Sequence, residues 1–127
     1  MSKIIIKTSE APQAIGPYSQ AVEAGGFVFV SGQIPIDAKT GVVLEGDITV
    51  QAKLVMENAK AILLSAGCDM SMVVKATIYL KNIADFVSVN EVYGLYFPIN
   101  PPARASVEVS GLPKDVAIEM DFIAWKG

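Results

Sequence analysis

Apolar and polar positions change period several times along this chain, and each change marks an element. Residues 3–7 (KIIIK) read as a strand, and 8–19 (TSEAPQAIGPYS), punctuated by Pro12, Gly16 and Pro17, read as a loop. A Gly25-Gly26 turn joins strand-like 18–24 to FVFVSGQIPI, which is a hairpin signal. From Ile48, apolar residues at Ala52, Val55, Ala59, Ile62, Leu63 and Ala66 recur at helical spacing, and Gly67 supplies the stop. MVVKATIYLK then alternates as a strand, with Val74, Ala76, Ile78 and Leu80 on one face. Asn82 caps a second helix, IADFVSVNEVYGLYF, which Pro98 ends. The predicted order is β-ββ-α-β-α-ββ, an α+β domain in which two helices cover one face of one sheet.

The last two strands carry the first chemical candidates. In 104–109, Ala105, Val107 and Val109 alternate with Arg104, Ser106 and Glu108; in 116–122, Val116, Ile118, Met120 and Phe122 alternate with Ala117, Glu119 and Asp121. The short Gly- and Pro-bearing link SGLPKD predicts antiparallel neighbours. With both apolar sets turned to the core, Arg104, Ser106, Glu119 and Asp121 share the other face. Arg104 is the one arginine among ten lysine and arginine residues. Its planar fork, which matches a carboxylate or phosphate, is a stronger reason for its presence than its charge. Read blandly, Arg104 and Glu119 are an ordinary ion pair on a sheet; read functionally, they are an anion clamp and an acceptor for water.

Composition narrows the chemistry. A chain of 127 residues is one domain, and 52% hydrophobic against 18% charged residues implies more apolar surface than such a domain hides alone, so oligomerisation is expected. The formal net charge of −3, with no lysine run or arginine cluster, argues against a nucleic-acid partner. Three consecutive isoleucines are too few for a signal-peptide core, and no apolar run reaches membrane-spanning length, so a cytoplasmic protein with no membrane partner is expected. Cys68 has no partner for an intrachain disulfide and reads as a small residue after a helix end. The chain has no histidine, which removes His relays, Ser-His triads and His-ligated zinc together. With no P-loop, GxGxxG or CxxC either, no cofactor and no metal are predicted.

Four further residues are candidates. Ser31 and Gly32 interrupt an apolar strand, and a strand glycine marks either a bulge or a close approach to the backbone. Tyr18, after Gly16 and Pro17, either lids the core or lines a site. Asn90 lies on the helical row Phe86, Asn90, Tyr93, Phe97, where a buried amide must find a hydrogen-bond partner.

The segments AIGPYSQAV, FVFVSGQIPID, TGVV, AGCDMSMVVKATIYLKNIADFVSVNEVY and PPARASVEVSGLPKDVAIEMDFIA resemble, in order, the RidA (YjgF) family of enamine/imine deaminases. The resemblance runs from about residue 5 to residue 124. It implies a chorismate-mutase-like fold and a homotrimer whose sheets line an inner barrel, with sites in clefts between subunits. It also implies that Arg104 clasps the substrate carboxylate, that Glu119 orients water and that Tyr18 belongs to the catalytic set. Ser31, Gly32, Asn90 and Ser106 fall on substrate-binding positions. The position two after the arginine is often cysteine in relatives and is Ser106 here, and the common ARLP reads SGLP. The implied reaction is cofactor-free hydrolysis of 2-imino acids, such as 2-iminopropionate or 2-iminobutanoate, to 2-oxo acids and ammonia.

Two other functions fit parts of this pattern. A non-catalytic trimer sensing 2-oxo acids or amino acids needs Arg104 alone, whereas catalysis needs Glu119 as well. RNA cleavage or translation inhibition, associated with relatives, is disfavoured by the acidic charge and the missing histidines.

Overall fold

Gly25 and Gly26 both take left-handed backbone, φ 60° and 84°, and fold β2 (Ala21–Ala24) back onto β3 (Phe27–Gln33). In this computed structural model, which describes residues 2–127, β1 (Ile4–Ile6) adds antiparallel to β2. The chain continues through α1 (Ile48–Ser65), β4 (Val73–Leu80), α2 (Phe86–Tyr96), β5 (Ala103–Glu108) and β6 (Ile118–Trp125). The element order is the predicted one, and both helices pack on a single six-stranded mixed sheet of order β1-β2-β3-β6-β4-β5.

Local signals set the helix ends. The Asp47 side chain accepts a hydrogen bond from the Val50 amide at 3.0 Å to start α1, and Gly67, at φ 81°, closes it. Asn82 caps as expected, its Oδ1 accepting from the Ala84 amide at 2.9 Å. The turn it starts is a 3-10 turn, Ile83–Asp85, and α2 proper begins at Phe86. The apolar stripe of α1, including Val55, Met56, Ile62 and Leu63, packs with Val89 and Val92 of α2 onto Ile78, Leu80, Ile118, Met120 and Phe122 of the sheet. Cys68 lies in the same core.

The expected final hairpin does not form. Strand β4 lies between β5 and β6, pairing parallel with β5 and antiparallel with β6. The physical reason is the helix between β4 and β5: a strand, a crossover helix and a strand return in parallel, so α2 commits β5 to the outer side of β4. The SGLPKD link then passes across the end of β4. Val109 and Leu80 are joined there by an amide-to-carbonyl bond of 2.9 Å, and Lys81 and Ala117 by one of 3.0 Å. The 3-10 turn Pro113–Asp115 carries Lys114 and Asp115 at φ 56° and delivers β6 into the gap between β3 and β4.

That register also overturns the shared face. Bridged residues project to the same side of a sheet. Arg104 is bridged to Ala76 and Ser106 to Ile78, and these β4 residues are bridged to Phe122 and Met120, all on the helix-covered side. Glu119 and Asp121 are bridged to Tyr79 and Thr77, which pair with Val107 and Ala105 on the open side. Within one chain, Arg104 and Ser106 are therefore separated by the sheet from Glu119 and Asp121. The apolar sets of β5 and β6 point in opposite directions. Val107 stays exposed on an open face that also carries exposed Phe27, Phe29 and Trp125.

Candidate functional site

The candidate residues fall into two clusters, one on each face of the sheet. On the open side, a cleft of about 530 Å³ runs between the 8–20 loop, β3 and the β5–β6 link, and Tyr18, Ser31, Gly32, Lys114 and Glu119 line it. The loop is held by Gln20, a buried amide that accepts from the Thr8 amide at 2.7 Å and donates to the Pro12 carbonyl at 2.8 Å. Ser31 ties the same loop to β3: its hydroxyl donates to the Ser19 carbonyl at 2.6 Å and its amide to the Gln20 carbonyl at 3.0 Å. Tyr18 is not a core lid. It is half exposed at the cleft, and its hydroxyl accepts from the Ile15 amide at 3.2 Å.

Both readings of the strand glycine hold at once. The β3–β6 register shifts between Val30 and Gln33, so Gly32 sits in an irregularity, and the Glu119 carboxyl lies directly over it. A Cβ at position 32 would fall on Glu119 Oε2 and stand 2.9 Å from its Cδ. Gly32→Ala should therefore push the carboxyl out of the cleft. The expected result is a loss of more than about tenfold in any Glu119-dependent activity, with little change in stability in a denaturant titration, because the displaced atoms are the end of a flexible side chain that can turn to solvent. Burial, and after it the charge of Asp121, raises the Glu119 pKa above the usual carboxylate value, which strengthens it as a proton acceptor.

On the helix side, Arg104 is seated against α2. One guanidinium nitrogen donates to Asn90 Oδ1 at 2.8 Å, and the guanidinium carbon lies 4.9 Å from the Tyr93 ring centroid and 5.4 Å from that of Phe86. Helical spacing puts Phe86, Asn90 and Tyr93 on the one row that faces this strand. Among the described residues the ion pairs are Lys81–Asp115 and Lys126–Glu23, so the Arg104 fork has no carboxylate of its own. Because β5 is an edge strand, this clasp lies at the rim of the sheet.

Two buried hydroxyls close to this clasp, those of Tyr93 and Ser106, have no hydrogen-bond partner among the described residues. A buried unpaired hydroxyl costs stability. Ser106→Ala should accordingly melt no lower than the wild type in calorimetry.

The structure thus brings Tyr18, Ser31, Gly32 and Glu119 together, and separately Arg104, Asn90 and Ser106. Sequence reasoning did not assign Phe86 and Tyr93 to the clasp, although the helical row containing Asn90 displayed them. It also missed Lys114, whose left-handed backbone places it at the cleft. Among the described residues no group of three or more acidic or cysteine side chains could hold a metal ion.

Comparison with known proteins finds relatives that span nearly the whole chain. Residues 8–126 match the family model described as endoribonuclease L-PSP. A RutC family protein of Pyrococcus abyssi is 57% identical over 126 residues, covering 99% of each chain. The 2-iminobutanoate/2-iminopropanoate deaminase of Salmonella typhimurium is 49% identical over 127 residues, covering 98% of each. A solved structure from Thermotoga maritima, described as a putative endoribonuclease, superimposes with a TM-score of 0.96 at 48% identity and covers 98% of each chain. With a family match over nearly the whole chain and relatives at this level of identity, the chain belongs to the RidA (YjgF) family, the family of the endoribonuclease L-PSP model.

Proposed function

We propose that this protein hydrolyses 2-imino acids to 2-oxo acids and ammonia, at sites that each combine Arg104 of one copy with Glu119 of another. The observation that carries this reading is the division of the site. An arginine clasp with no carboxylate partner lies at the sheet rim, and the Glu119 carboxyl lies in a cleft on the opposite face. Neither half suffices alone. A second copy laid on the open face would cover exposed Phe29, Val107 and Trp125 and bring the halves together, and the homotrimer of the family resemblance is the assembly proposed. The deaminase name of the Salmonella typhimurium relative supports the choice of reaction.

The steps follow from the groups present. The Arg104 fork takes the substrate carboxylate bidentately, with Asn90 and the two aromatic rings fixing its plane. The adjacent C=N carbon then lies before a water held by Glu119. Water oxygen bonds to that carbon while Glu119 accepts a proton, and the C=N electron pair moves to nitrogen. The carbinolamine formed from the protonated imine collapses when Glu119 returns that proton to nitrogen and then takes the hydroxyl proton: the C–N bond breaks as C=O forms, and ammonia leaves. No lysine Schiff base is used, and Ser106 forms no covalent bond.

A second reading, a binding protein for 2-oxo acids or amino acids, draws on the Arg104 clasp alone. Purified protein added to a pyridoxal-phosphate dehydratase that sheds 2-aminoacrylate from serine separates the two. Faster appearance of pyruvate supports the deaminase. An unchanged rate, with carboxylate binding in calorimetry, supports the binding protein.

A further inference from the structure

Behind Glu119 on the open face stands a polar group that the mechanism above leaves unused. Tyr79 of β4 lies directly across from Glu119, and Thr77 directly across from Asp121. The Tyr79 hydroxyl passes its cross-strand neighbour and donates to Asp121 Oδ2 at 2.9 Å. This choice has two consequences. It pins the Asp121 carboxylate two residues along the strand from Glu119, on the same face. It also leaves Glu119 without that hydroxyl as a donor, so its oxygens stay available over Gly32 for water.

We propose that Tyr79 and Asp121 are positioning residues for Glu119: the phenol anchors a second negative charge beside it, and that charge makes the Glu119 carboxylate a stronger base for the attacking water. The proposal rests on the deaminase reading for its catalytic consequence and on geometry alone for its electrostatic one. A phenol donating directly to Glu119 would stabilise the carboxylate and weaken it as a base; spent on Asp121, the same hydroxyl does the opposite. The Tyr79 hydroxyl is itself held in its protonated, donating form, foremost by this bond to Asp121.

Other groups share the cleft or the open face of the sheet with Glu119. Lys75 projects from β4 to the same side of the sheet, Tyr18 lies in the 8–20 loop and Lys114 in the β5–β6 link, while β3 brings uncharged Ser31 and β5 brings Ala105 and Val107. In the assembled site Arg104 of a second copy joins them. All of these stay constant when Asp121 alone is changed, so the comparison isolates its charge.

The test has two readouts on the assembled protein. One is the titration of the Glu119 side-chain carboxyl by carbon NMR without substrate, assigned by its disappearance in Glu119→Gln. The other is the pH profile of kcat/KM in the dehydratase-coupled assay. Asp121→Asn should move the titration midpoint and the acidic limb of the profile together to lower pH by roughly half a unit to one unit. At neutral pH it should lower kcat several-fold with little change in KM. Asp121→Glu should restore most of the midpoint. Tyr79→Phe, which leaves the charge but lets it turn to solvent, should give a smaller shift of the same sign, and it serves alone if Asp121→Asn does not fold. An unmoved midpoint in Asp121→Asn, or in Tyr79→Phe where only that variant folds, overturns the proposal. A midpoint that moves while the wild type hydrolyses no imine leaves the electrostatic pairing standing and removes the deaminase reading instead.

Discussion

Replacing Glu119 by glutamine should reduce imine hydrolysis roughly a hundredfold or more while the protein still binds 2-oxo acids. Glutamine keeps the size and can still orient water over Gly32, but it cannot take the proton that water must lose. Binding should persist or tighten, because a carboxylate that repels the bound anion has gone. The same substitution should raise the melting temperature at neutral pH. The folded protein holds the Glu119 pKa above its ordinary value, mainly by burial. Between the ordinary and the raised value the folded state therefore binds more protons than the unfolded one, and stability falls as pH rises through that window. The glutamine variant escapes this loss. Its advantage should be full above the raised pKa and vanish below the ordinary carboxylate range. Loss of anion binding together with unchanged turnover would make Glu119 a structural residue.

Much of the fold was legible because its signals are local. Gly25-Gly26 marks a tight turn, Gly67 a helix end and Asn82 a cap, and each does so through the backbone of its own neighbourhood. The pairing of β5 was not local. Ala105 and Val107 alternate like core residues, yet they project to the open face, and the inference of a hairpin assumed that both apolar sets belong to one core. In a chain whose open face also displays Phe29 and Trp125, apolar alternation shows that a face is to be covered, without saying whether by this chain's own helices.

The site residues divide in the same way. Gly32 was recognisable as a glycine in a strand, and the structure supplies the reason in the Glu119 carboxyl that occupies the missing side chain's place. Phe86 and Tyr93 were visible as a helical row with Asn90, but their role needed the parallel β4–β5 pairing that lays Arg104 across that row. The Tyr79–Asp121 bond depends on the β4–β6 register, which involves residues 42 apart in sequence, and no local pattern announces it.

Arg104→Lys should cost on the order of a hundredfold in kcat/KM while the fold and the assembly remain intact. Lysine keeps the positive charge but has a single compact ammonium in place of a planar fork, so the substrate carboxylate would be held at one point and the imine carbon would lose its fixed place before the water. The seat is also built for a plane: Asn90 Oδ1 accepts from one nitrogen at 2.8 Å while Tyr93 and Phe86 lie against the guanidinium, and an ammonium cannot meet all three. The variant also tests how the site is divided. If each site takes Arg104 from one copy and Glu119 from another, unfolding and refolding an equal mixture of Arg104→Lys and Glu119→Gln leaves about one site in four with both native residues. The mixture should then recover about a quarter of wild-type activity from two nearly inactive parents. If Arg104 and Glu119 acted within one chain, every site would carry one defect and the mixture would stay as inactive as its parents. Near wild-type turnover in Arg104→Lys alone would remove the clasp from the mechanism.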